Sequence, residues 1–116
     1  MFSRKNARPA RQPREVGPDT RRVRMVFRGQ VQGVGFRWTA QRVAHEVGLT
    51  GWVRNEHDGS VTMEAQGTDE MISEFFGLFN RSYARYPINY VIDDKEDLPI
   101  DPTDVDFEVR FSSSSW

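Results

Sequence analysis

Cysteine is absent from this chain. That excludes disulfides, thiolate metal sites and cysteine nucleophiles, and it fits a reducing compartment. Histidine occurs only at His45 and His57, and no His/Asp cluster has metal-ligand spacing, so no metal is expected. No apolar run approaches the ~20 residues needed to span a bilayer. An excess of one charge sign is also missing. Sixteen basic against seventeen acidic side chains leave a net charge of −1, which gives no global pull towards nucleic acid or an anionic membrane. A chain of 116 residues has room for one domain with its own core. The expectation is one cytoplasmic, monomeric domain with neither membrane nor nucleic-acid partner.

What charge there is lies unevenly. Residues 1–22 hold seven basic side chains (Arg4, Lys5, Arg8, Arg11, Arg14, Arg21, Arg22) and two acidic ones (Glu15, Asp19). A basic arm on an acidic body raises nucleic-acid contact as an option. The polar composition, broken by Pro9, Pro13 and Pro18, instead points to a solvated, disordered extension over residues 1–20. No apolar segment of the kind found in secretory peptides follows it. The prolines also interrupt any amphipathic targeting helix.

From Arg21 the hydrophobic period switches in a definite order. Val23, Met25 and Phe27 alternate with neighbours that include Arg24 and Arg28, which reads as a strand with one apolar face. After a glycine-punctuated segment, Phe36, Ala40, Val43, Ala44 and Val47 mark one face of a helix, closed by Gly48. Two short strands follow around the hairpin signal Asp58-Gly59. The first is Gly51 to Asn55 and the second holds Val61, Met63 and Ala65. Thr68 caps a second helix, with Asp69 and Glu70 in its first turn and Ile72, Phe75, Phe76 and Phe79 on its buried stripe. Residues 88–92 read as a fourth strand and 93–103 as an acidic loop. Val105, Phe107, Val109 and Phe111 alternate in a last strand that extends or continues the fourth. Residues 112–116 read as a tail. The order β-α-β-β-α-β is that of a ferredoxin-like α+β sandwich over residues 21–111, an antiparallel sheet with two helices on one face. Phe36, Trp52 and the Phe75, Phe76, Phe79 group are expected in the core, and His45 on the surface near a helix C-terminus.

The chemistry-bearing segment joins the first strand to the first helix: Gln32-Gly33-Val34-Gly35-Phe36-Arg37. Two glycines permit backbone turns that aim consecutive N–H groups at one point, an anion nest. The helix N-terminus adds unpaired N–H groups and a partial positive charge. Arg37 adds a fixed planar cation suited to phosphate. The spacing fits neither a P-loop nor a dinucleotide fingerprint. The residues alone leave two readings open: an oxyanion site, or a tight turn beside a surface arginine.

Gly29-Gln30-Val31-Gln32-Gly33-Val34-Gly35-Phe36-Arg37 resembles the first signature of the acylphosphatase family. Gly51-Trp52-Val53-Arg54-Asn55, with Asp58-Gly59-Ser60-Val61 and Gly67, resembles its second. Both stand in the family's order and spacing. The resemblance implies that the backbone amides of Gln32 to Phe36 bind the phosphoryl oxygens of a small acyl phosphate. It implies Arg37 as the essential cation, Asn55 as the amide that orients the attacking water, and no cofactor. Two departures stand out. Glu56 follows Asn55, and an inward carboxylate there would repel an approaching acyl phosphate. Residues 82–87 lack an expected Gly-Pro.

The competing class is a non-catalytic phosphate- or nucleic-acid-binding module of the same element order. RNA-binding sheets stack bases on aromatics of the central strands, and Val61-Thr62-Met63-Glu64-Ala65 offers none. A loop that only held phosphate would have no use for Asn55.

Overall fold

Val23, Met25 and Phe27 are all buried, and Arg24 between them is exposed, as the period-2 pattern predicts. They belong to β1 (Thr20–Gly29), the first of seven elements in a computed structural model that describes residues 16–111. The others are α1 (Phe36–Val47), β2 (Thr50–Asn55), β3 (Val61–Thr68), α2 (Asp69–Ser82), β4 (Tyr90–Leu98) and β5 (Phe107–Arg110). Most of the expected N-terminal extension, residues 1–15, and the tail, 112–116, lie outside the described residues.

Every α1 residue on the predicted stripe is buried. The helix stops at Gly48, whose N–H donates to the Ala44 carbonyl. At the start of α2 the Thr68 hydroxyl accepts from the Met71 N–H at 3.1 Å. That satisfies one of the orphan donors of the first turn, and Asp69 and Glu70 face the positive helix end. Phe75 and Phe79 are buried, with Ile72 and Phe76 packed at the margin of the same cluster. No helix among the described residues is long and apolar enough to cross a membrane.

The sheet order is β4-β1-β3-β2-β5. β1 pairs antiparallel with β3 and β4, and β2 antiparallel with β3. The helices cover one face, giving the ferredoxin-like arrangement. The last strand neither extends nor continues the fourth. It crosses to the opposite edge and pairs parallel with β2, Gly51↔Phe107 to Arg54↔Arg110, so the sheet is mixed. Burial explains the crossing. Phe107 is completely buried and Val109 packs on the core, a contact unavailable at the thin β4 edge.

The fourth strand also differs from its expected span. It runs from Tyr90 to Leu98, through half of the acidic stretch read as a loop. Acidic residues have poor strand propensity, but cross-strand partners override it. Arg28 holds Asp93 at 2.9 Å, and Arg21 holds Asp97.

Trp52 is buried, yet it is not part of the helix-facing core. It lies on the other face of the sheet, with the Arg54 and Arg110 guanidinium carbons 4.9 and 5.0 Å from its ring. On that outer face the Arg22 side chain is only 7 % exposed. It donates to Glu64 at 3.0 Å, Gln66 at 3.2 Å and Asp104 at 2.9 Å. The Gln66 amide in turn binds Asp101, accepting from its N–H and donating to its carbonyl. These contacts pin the β4–β5 connection to the end of the sheet where β1 begins.

Candidate functional site

β1 and β2 both run antiparallel to β3, so they end at the same end of the sheet. The loop after Gly29 and the residue Asn55 therefore share that end. Phe36 opens α1 inside the core, its ring centroid 5.0 Å from Phe27 and 4.7 Å from Phe79. This anchor draws the loop over the sheet and leaves the next residue, Arg37, at the surface.

Within the loop, Gly33 has φ +78° and Gly35 φ +77°. No non-glycine residue described has a positive φ, so Val34 between them has a negative φ and the sign of φ alternates along the loop. That alternation turns successive amides towards one side, as in an anion nest. A Cβ at Gly33 or Gly35 would meet nothing within 4 Å, so backbone conformation, not space, demands glycine here. Gly35 also caps α1 and supplies no side-chain acceptor. Among the described residues, no protein group accepts from the backbone N–H groups of Gln32 to Phe36. They remain free for an anion.

Two side chains hold the loop in place. The Gln32 amide donates to the Glu56 carbonyl at 2.8 Å and the Ser60 carbonyl at 2.9 Å. It therefore ties the loop to the β2–β3 hairpin directly after Asn55. On the other side the Tyr83 hydroxyl donates to the Val34 carbonyl at 2.9 Å. A trans peptide points its C=O and N–H in opposite directions, so the Gly35 N–H is aimed away from Tyr83.

Asn55 follows Val53 on the helix-facing side of β2, at the last β2–β3 pair. The β2–β5 pairs end at Arg54↔Arg110, so Asn55 and Phe111 each come directly after that last pair. The Arg37 guanidinium carbon lies 4.9 Å from the Phe111 ring centroid. Arg37 thus lies just past the last β2–β5 pair, at the sheet end where Asn55 closes β2. The sequence reading had Phe111 only as the end of an alternating strand. Its parity with Phe107 and Val109 signals the facing side, but not which strand it would join. Tyr83 carried no signal at all.

Glu56 does not point at the loop. It shares the outer face with Trp52 and Arg54, and its carboxylate binds Arg54 at 3.0 Å. The carboxylate is thus paired with Arg54 on that face. The hairpin turn is fastened by Asp58, which accepts from the Ser60 hydroxyl at 2.6 Å, the Ser60 N–H at 3.0 Å and Arg28 at 3.1 Å. Chiefly the Ser60 hydroxyl, then its N–H and Arg28, pull the Asp58 carboxyl down to about 2. His45 lies half-exposed near the end of α1, 3.0 Å from Asp106, far along the helix from the loop. Among the described residues no three His, Asp or Glu side chains gather in a way that could hold a metal ion.

Comparison with known proteins bears on this geometry. The family model for acylphosphatase matches residues 23–109. An acylphosphatase of Oceanobacillus iheyensis is 40 % identical over 91 residues, covering 78 % of this chain and 99 % of that protein. The crystal structure of acylphosphatase from Bacillus subtilis superposes with a TM-score of 0.64 at 25 % identity, over 78 % of this chain and 98 % of that one. An acylphosphatase structure from Coxiella burnetii gives 0.64 at 28 % identity, over 79 % and 94 %.

Proposed function

Because this chain belongs to the acylphosphatase family, we propose that its loop amides from Gln32 to Phe36, with Arg37, hold the phosphoryl group of an acyl phosphate while Asn55 orients the water that attacks it. The observation that carries this reading is the gathering of three elements at one sheet end: the alternating glycine loop, the α1 terminus with Arg37, and Asn55 at the close of β2.

The chemistry needs little more. Water attacks phosphorus, the bond from phosphorus to the acyl oxygen breaks, and the electron pair leaves with a carboxylate. The conjugate acid of that carboxylate has a pKa around 4, so it departs without a general acid. The water proton passes to a phosphoryl oxygen of the substrate. What the protein contributes is alignment of the water and stabilisation of charge on the equatorial oxygens. Free N–H groups and the Arg37 guanidinium meet those oxygens. The Asn55 amide accepts from water and donates to phosphate without changing its own charge.

The test is hydrolysis of acetyl and benzoyl phosphate by the purified chain in the presence of EDTA. Arg37→Ala and Asn55→Ala are each expected to lower kcat by about 10²- to 10³-fold with an unchanged circular dichroism spectrum. Full activity in either variant would overturn the assignment of roles.

A further inference from the structure

Three residues on one side of α1, spaced i, i+4 and i+8, meet β5 in turn. Arg37 lies against Phe111, its guanidinium carbon 4.9 Å from the ring centroid. The Gln41 amide donates to the Phe107 carbonyl at 3.1 Å. His45 Nε2 lies 3.0 Å from Asp106 Oδ1, and the same oxygen accepts from the Phe107 N–H at 2.7 Å. Neither the phosphate loop nor Asn55 accounts for Gln41.

β5 needs such a hold. It is four residues long and, among the described residues, β2 is its one neighbour in the sheet. The Gly51 N–H donates to the Asp106 carbonyl at 2.9 Å. Carbonyls of successive strand residues point to opposite sides, so the Phe107 carbonyl turns away from β2. Phe107 is completely buried, and a backbone carbonyl at a buried residue has to find a donor. Gln41, half-buried about one turn after Arg37, supplies it. The same helix therefore fixes the start of β5 with Gln41 and meets the residue after its end, Phe111, with Arg37. Phe111 comes after the last β2–β5 pair, so its place against Arg37 follows from where β5 is seated.

We propose that Gln41 is a positioning residue for the reaction: by holding the Phe107 carbonyl it seats β5 against α1, keeps Phe111 on the Arg37 guanidinium, and so keeps Arg37 aimed at the phosphoryl group. This inference rests on the function proposed above, since it needs Arg37 at the phosphate. Without the Gln41 donor the Phe107 carbonyl loses its partner, and β5 is free to shift along its open side. The effect on phosphate cannot exceed the one that Phe111 itself exerts, because it is transmitted through that ring.

The experiment is a double-mutant cycle on the full chain, reading kcat/KM for benzoyl phosphate and the inhibition constant of inorganic phosphate. Gln41→Met and Gln41→Leu keep the bulk of the side chain and remove the donor, and either one that folds by circular dichroism serves. The expected result is a loss of kcat/KM of about two- to fivefold, with phosphate inhibition weakened to the same degree. In a Phe111→Ala background the same substitution should change neither quantity further. Losses that multiply in the double variant would overturn the proposal, because Gln41 would then act by another route. A folded variant less stable to urea but unchanged in both readouts would also overturn it, leaving Gln41 a structural role alone. Arg37→Ala measured alongside separates the two readings. If it is inactive while the Gln41 variants match the parent, the positioning role falls and the proposed function stands. If Arg37→Ala keeps full activity, the proposed function falls and the positioning role falls with it.

Discussion

The Arg37 guanidinium lies over the Phe111 ring, 4.9 Å from carbon to centroid. Phe111 follows the last residue of β5, one position past the Arg54↔Arg110 pair. A cation held on an aromatic face keeps its charge while losing conformational freedom. Such a contact at an exposed site contributes about 0.5–1 kcal/mol. Phe111→Ala should therefore lower kcat/KM about two- to fivefold and weaken inhibition by inorganic phosphate to a similar degree. Phe111→Tyr should restore both. Phosphate inhibition constants for the three proteins check this.

Tyr83 and Gln32 grip the loop from opposite sides. Removing the Tyr83 hydroxyl leaves the Val34 carbonyl without its donor and frees the Val34–Gly35 peptide to rotate. Tyr83→Phe should reduce stability by about 1 kcal/mol and lower kcat more than it raises KM, because the Gly35 N–H then loses its aim. Gln32→Ala strips two donors from the hairpin carbonyls and should reduce stability by about 1–2 kcal/mol. Urea unfolding together with separate kcat and KM values for each variant gives the answer.

Arg22 lies at the far end of the sheet, remote from the loop. Its guanidinium binds Glu64 and Asp104, and all three side chains are largely out of water. Arg22→Met leaves two carboxylates short of their counter-charge. The expected loss of unfolding free energy is about 3–5 kcal/mol, with kcat unchanged at temperatures where the variant remains folded. Equilibrium denaturation and a low-temperature assay test both halves of that expectation.

Asp58 governs the acid limit of the hairpin. Its carboxyl titrates near 2 in the folded chain, held down by the Ser60 hydroxyl and N–H and by Arg28. In the unfolded chain the same group titrates near 3.9. The folded value is the lower one, so ionised Asp58 supports the fold fully above about pH 4. That support is lost as the pH falls through about 2. The Ser60 amide resonance should follow this titration, with a midpoint near 2 in the parent and no such step in Asp58→Asn.

How much was legible in the sequence differs from element to element. The α1 stripe was read residue for residue, because a helix buries a face set by its own spacing. β1 was equally plain. β4 was not, since Asp93 to Asp97 look like solvent-seeking loop and become strand only because Arg21 and Arg28 on β1 supply partners. The partner of β5 was invisible because pairing is non-local, and alternation says which face a side chain takes but not which neighbour it joins. Trp52 shows the same gap. Its burial was foreseen, but its two arginine neighbours come from sheet register. At the site, the loop and Arg37 carry their chemistry in their residue types. Asn55 does not, and its role comes from the family resemblance. Which way Glu56 turns stayed open in the sequence, and its ion pair with Arg54 appears only in the structure.

The charge on β4 has a consequence for how the molecules meet one another. Among the described residues β4 forms one border of the sheet, and its outer backbone groups have no strand to pair with. A border nine residues long would template joining with a second copy if it were apolar. Asp93, Asp94, Glu96 and Asp97 against the single Lys95 give two such borders like charge, and bringing them together would press carboxylate against carboxylate. The opposite border, β5, is only four residues long. At neutral pH the acidic stretch works as a guard against strand-to-strand aggregation.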